Sequence, residues 1–308
     1  MRAARLGLLA AIGVAAPATA QQVSDSGFSP AILQPAFAAG AGPVVAVDQA
    51  HHNFHTASGR YYPFAQVLRR DGFVVDSILT PVSAASLAPV RVLVVSNPLN
   101  GRNAGNWTLP TPSAFTAEEI SVVRAWVVEG GSLLLIADHM PFAGAAAELA
   151  AAFGVRFNNG FAVDTAGDGG PDLFRRSDGT LGVHPITTGR SPGERIDSVA
   201  TFTGSALQAD DTYAVLLRFG PGIVSLMPDT AWQFTDATRR VAVSGWAQGV
   251  AGPFGKGRVV VLGEAAMFSA QLAGPSRQPA GMNHPMAAQD AQFLLNTLHW
   301  LAGLLPLR

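Results

Sequence analysis

The sequence predicts an α/β fold, with a mainly parallel central sheet, helices on both of its faces and a β-rich insertion. Three observations carry that reading. Short apolar runs recur at 44–47 (VVAV), 90–96 (VRVLVVS), 132–137 (SLLLIA) and 258–262 (RVVVL), as expected of strands buried on both faces. Between them lie segments with helical spacing of apolar residues. From 155 to about 250 this alternation loosens into short strand-like pieces separated by Gly, Asp and Pro.

In chain order, 44–47 ends on Asp48 and a loop rich in histidine. Tyr61, Phe64, Ala65 and Leu68 then fall on one helical face, closed by Asp71-Gly72. Residues 73–79 and 90–96 read as strands, and 100–112 as a long polar loop carrying Trp107. Thr116 and Glu119 form a capping box, opening a helix that buries Ile120, Val123, Trp126 and Val127 and stops at Gly130-Gly131. The strand 132–137 ends on Asp138-His139, and Pro141 opens a further helix that runs to Phe153. Segments 199–207, 213–219 and 241–248 read as strand within the insertion, an antiparallel addition to the same domain. Strand 258–262 ends on Gly263-Glu264, and a final helix is predicted over 287–303. The aspartate-glycine stretch 164–172 lacks the spacing and terminal glutamate of a calcium loop.

The 308 residues are 48% hydrophobic and only 13% charged, with a formal net charge of −1 and no basic run. That excludes a concentrated basic face for nucleic acid. Arg2 and Arg5, the apolar stretch 6–16 and Ala18-Thr19-Ala20 predict a signal peptide over 1–20, cleaved after Ala20. Export to the periplasm or beyond is therefore expected, with no integral membrane segment after cleavage. A Ser/Ala/Gly/Pro-rich lead-in follows at 21–42, touching the body through Phe28, Ile32, Leu33 and Phe37, and the α/β domain spans 43–308. There is no cysteine, hence no disulfide and no thiol nucleophile.

Three predicted strands end on carboxylates: Asp48, Asp138 and Glu264. In a parallel sheet these ends share one edge, where ligands bind in open α/β folds. Three of the seven histidines, His51, His52 and His55, follow the first strand; His139 follows the second carboxylate, and His284 lies beyond the third. Carboxylate and neutral imidazole are the ligand set of zinc and related divalent metals, which activate a bound water. The competing reading is that the acids cap helix N-termini and the imidazoles hydrogen-bond the loops. On the first reading Asp48, Asp138 and Glu264 are catalytic, His52, His55 and His139 bind a divalent metal, zinc foremost, and Asn53, Trp107, Asn283 and His284 contact ligand. No G-x-S-x-G elbow, phosphate loop or H-E-x-x-H helix is present.

The segments VAVDQAHHNFHT…YYPFAQVLRRDGFVV, FTAEEISVVRAWVVEGGSLLLIADH and GKGRVVVLGEAAMF resemble the class I glutamine amidotransferase-like superfamily. Within it they are most similar to the bacterial branch grouped with gliding-motility and intraflagellar-transport domains. The resemblance covers most of 43–157 and 254–303 and implies a flavodoxin-like three-layer sandwich. Where such amidotransferases carry a cysteine nucleophile this chain has Asp138-His139, so glutamine hydrolysis by a thiol is excluded. The superfamily includes noncatalytic domains of carbohydrate-active enzymes. Two functions follow as expectations: an exported metal-dependent hydrolase of a small or carbohydrate-like substrate, or a noncatalytic carbohydrate-binding, ligand-binding or assembly module.

Overall fold

The computed structural model describes residues 22–165, 167 and 169–308; the expected signal peptide lies outside them. Nine strands form the central sheet: β1 (Val44–Asp48), β2 (Val74–Ile78), β3 (Val92–Ser96), β4 (Ser132–Ile136), β5 (Val155–Phe157), β6 (Leu207–Ala209), β7 (Ala214–Arg218), β8 (Ala247–Phe254) and β9 (Gly257–Leu262). The order β2-β1-β3-β4-β9 is parallel throughout, with Leu134 of β4 opposite Val94 of β3 on one side and Val260 of β9 on the other. β8 then pairs antiparallel with β9, and β6, β7 and β5 extend that side.

Successive side chains of a strand point to opposite faces, and the two faces hold separate cores. Val45, Val47, Val92, Val94, Leu134 and Ile136 pack on one side with helices α1 (Tyr62–Arg70) and α4 (Asp290–Ala302), through Phe64, Leu68, Phe293 and Leu298. Ala46, Leu93, Val95, Leu133 and Leu135 pack on the other with α2 (Ala117–Val128) and α3 (Phe142–Ala151), through Val123, Val127, Phe142 and Leu149. This is the three-layer sandwich. β3 and β4 are buried along their whole length, which is why they read as continuous apolar runs. β2 is an edge strand whose Val74 and Asp76 face is exposed, so Asp76 is tolerated within it, while Ser77 on the opposite face accepts from Gln49 Nε2 at 2.6 Å.

The stretch 155–250 is the β-rich antiparallel addition expected from sequence, and its strands β5 to β8 join the central sheet, while two other local features depart from the sequence reading. Its remaining strands, Phe161–Asp164 with Ile223–Met227 and Arg239–Ala242, and Asp172–Arg175 with Ser198–Thr201, make two small separate sheets. The last helix starts at Asp290, because His284 caps a separate short turn at Pro285–Ala287. The lead-in is anchored more firmly than its composition predicts. Val23 and Ser24 pair with Leu272 and Gln271, and Asp71 accepts the Ala36 N–H at 2.9 Å. Phe28, Ile32 and Phe37 pack on the body, whereas Leu33 is exposed. Among the described residues, no helix is long and apolar enough to cross a membrane.

Candidate functional site

Because β1, β4 and β9 run parallel, Asp48, Asp138 and Glu264 follow strand ends on one edge of the sheet. Their carboxylates are engaged by the protein itself. Asp48 is fully buried and accepts from the Ala50 N–H, from Asn53 Nδ2 at 3.0 Å and from the His51 ring at 2.9 Å. His51 Nε2 reaches Glu119 Oε1 at 2.9 Å. Glu119 also accepts the Val82 N–H, and its second oxygen closes the capping box with Thr116. Burial disfavours the His51 imidazolium, but Asp48 and Glu119 outweigh it and the pKa is raised. Glu119, where burial is outweighed by bonds from Thr116, Val82 and His51, stays below its ordinary value. The unit Asp48–His51–Glu119 thus ties the first strand to the start of α2.

Glu264 accepts the N–H groups of Ala266 and Met267, each at 2.7 Å, capping the turn Ala266–Phe268. Burial, and then the neighbouring charge of Asp138, pushes its carboxyl well above the usual range. Asp138 accepts the His139 N–H, while its own N–H is held by Asn97 Oδ1 at 2.8 Å. Tyr61 donates to Ala265 O at 2.9 Å behind them. Glu264 thus bonds the start of a short helical turn, whereas Asp48 and Asp138 accept from the loop N–H groups of Ala50 and His139.

The histidines go separate ways. His52 is exposed, with φ +46. His55 is buried against Tyr61, ring centroids 4.6 Å apart, with neither ring nitrogen bonded. Burial and the nearby Arg60 charge push its pKa down to about 3, so it is neutral. His139 Nδ1 donates to Met140 O, and its ring stacks on Phe161 at 4.2 Å. Among the described residues no three His, Asp or Glu side chains converge to hold a metal ion.

The expected ligand contacts also separate. Asn53 is committed to Asp48, and Asn283 to Asp25 and the Gln271 carbonyl. His284 caps its turn by accepting the Met286 N–H and touches Phe202. Trp107 is half-buried and belongs to a row of rings. It meets Phe54 at 5.6 Å, Phe142 at 5.1 Å and His139 at 6.2 Å. Trp232, which sequence reasoning missed, continues the row at 4.7 Å from His139 and 4.8 Å from Phe161, with Phe234 beyond. Trp232 is 55% exposed and Phe234 41%. Trp232 holds φ +66, a conformation costly for a bulky side chain and found where surrounding structure imposes it. The available signal was an aromatic pair, Trp232-Gln233-Phe234, inside a turn-rich polar stretch. Trp232 also lines a cleft of about 660 Å³ with Phe202, Phe219, Arg218, Asp172 and Met286. Burial and then Asp164 raise Asp172 to a pKa of about 6.

This architecture recurs in solved structures. The mmIFT52 N-terminal domain is similar over 84% of this chain and 97% of its own, with 14% identity and a TM-score of 0.59. A cytoplasmic protein from Salmonella typhimurium matches 84% of this chain and 98% of its own at 17% identity and a TM-score of 0.47. A Bacteroides uniformis protein described as ThuA-like matches 89% and 94% at 13% identity and 0.45. At 14% identity the likeness to the mmIFT52 domain is one of fold alone, a flavodoxin-like α/β sandwich with a mainly parallel central sheet. No family model matches the chain, and no curated protein does.

Proposed function

We propose that the protein is an exported, noncatalytic ligand-binding module that takes a carbohydrate-like ligand on the aromatic row from Trp107 to Trp232 and in the adjoining cleft. The observation that carries this reading is Trp232: a large ring, more than half exposed, held in a left-handed conformation against His139 and Phe161. Exposed aromatic faces beside a polar cleft are the surface a sugar's C–H face and hydroxyls require. The ionisable groups of the strand ends, by contrast, are bonded to one another or to backbone, which suits a scaffold better than a reaction centre. Export rests on the leader of the sequence alone.

Calorimetric titration with a panel of neutral oligosaccharides is the direct test. Trp232→Ala is expected to weaken binding at least tenfold, about 1.4 kcal/mol, with the melting temperature of the parent retained. Hydrolysis of an ester, amide or glycoside by the parent, abolished in a folded Asp138→Asn variant, would replace the binding reading with the enzymatic one.

A further inference from the structure

We infer that Arg60 is an anion subsite at the far end of the aromatic row, so that the ligand carries an acidic group, a carboxylate on a carbohydrate. This rests on the binding reading for the carbohydrate and on independent geometry for the anion. Arg60 follows the histidine loop, and its guanidinium lies over the Phe54 ring, Cζ 3.8 Å from the centroid. Phe54 in turn meets Trp107. Among the described residues Arg60 makes no ion pair and no hydrogen bond, and its Nε is buried without a partner.

A half-buried guanidinium without a carboxylate is unusual, because its five donors are otherwise desolvated for nothing. It also lines an open groove of about 440 Å³ with Ser26, Ser58 and Tyr62, and no acidic side chain lines that groove. Asp25, adjacent in sequence to Ser24 and Ser26 of the lining, directs its oxygens to the Gly27 N–H and to Asn283. The groove therefore offers a fixed positive charge beside hydroxyl groups, and no acidic side chain of its lining neutralises it. A planar carboxylate matches the guanidinium fork in two parallel hydrogen bonds, which an ammonium does not reproduce.

The test titrates the full chain with a galacturonate oligomer, its methyl ester and inorganic sulfate, at low and at raised salt. The acid is expected to bind at least tenfold tighter than the ester at low salt. The gap should close in Arg60→Gln, persist in part in Arg60→Lys and shrink as salt rises. Equal binding of acid and ester to the parent, or a gap that survives Arg60→Gln in a folded protein, overturns the subsite while leaving the carbohydrate reading in place. If neither oligomer binds but sulfate is held only when Arg60 is present, the subsite stands and the carbohydrate falls. If none of the three binds, both are overturned.

Discussion

His51 sits between two carboxylates, 2.9 Å from each, at 6% exposure, so removing it leaves Asp48 and Glu119 facing one another without a cation. Losing one member of a buried charged unit costs about 3–5 kcal/mol. His51→Gln is therefore expected to lose about 3 kcal/mol at pH 6, measured by chemical denaturation. The pH dependence has a definite sign. The folded pKa of His51 lies above its ordinary value of 6.5, so its contribution is complete below pH 6.5 and is lost as pH rises through the folded value. The parent should lose stability on that alkaline limb, and His51→Gln should lack the loss; equal slopes would show that His51 is not the titrating group. Residue types alone made this loop conspicuous, since three histidines in five positions invite a metal reading. Their divergence was not legible. It depends on a left-handed His52 and on Glu119, a partner 68 positions away. Trp107 was legible as a single aromatic in a long polar loop, whereas Trp232 depends on a backbone conformation that no spacing encodes.

At the scale of elements, α2 begins with the one signal that sequence and structure share in full: Thr116 accepts the Glu119 N–H, and Glu119 returns a bond to the Thr116 N–H at 3.0 Å. The same Glu119 holds His51 through its other oxygen, so the helix cap and the buried charge unit are one structure. Thr116→Ala is expected to cost about 1 kcal/mol from the lost cap. Combined with His51→Gln it should be non-additive by about 0.5 kcal/mol or more, because both act on one carboxylate; strict additivity in a double-mutant cycle would separate the two. The parallel strands were legible because burial on both faces leaves uninterrupted apolar runs such as 132–136. β5 and β6 were not legible as parts of the central sheet. Each is three residues long, and three residues carry no usable period.

For the whole molecule, the decisive feature is how the sheet ends beyond β9. Read from sequence, 155–250 is a β-rich insertion that adds antiparallel strands to an amidotransferase-like domain and is not an independent unit. The pairing agrees and shows where the strands attach: β8 covers β9 from Gly249↔Leu262 to Phe254↔Gly257, and β7, β6 and β5 build outward from β8. Without them β9 becomes a bare edge of Val259, Val260 and Val261, all fully buried in the intact protein. An uncovered apolar edge strand is a template for pairing with another chain. Replacing 155–254, all of β5 to β8, by a short flexible linker is therefore expected to give a protein that aggregates or lacks a cooperative unfolding transition, read by size-exclusion chromatography and calorimetry. A soluble monomer with a single sharp transition would mean that the five parallel strands fold alone and that the antiparallel half is an accessory. The same half carries Phe161, Trp232 and most of the cleft, so the core-completing strands and the Trp232 end of the proposed binding surface belong to one continuous segment of chain. Stability and binding are then expected to fail together when that segment is disturbed, and to separate only in surface variants such as Trp232→Ala.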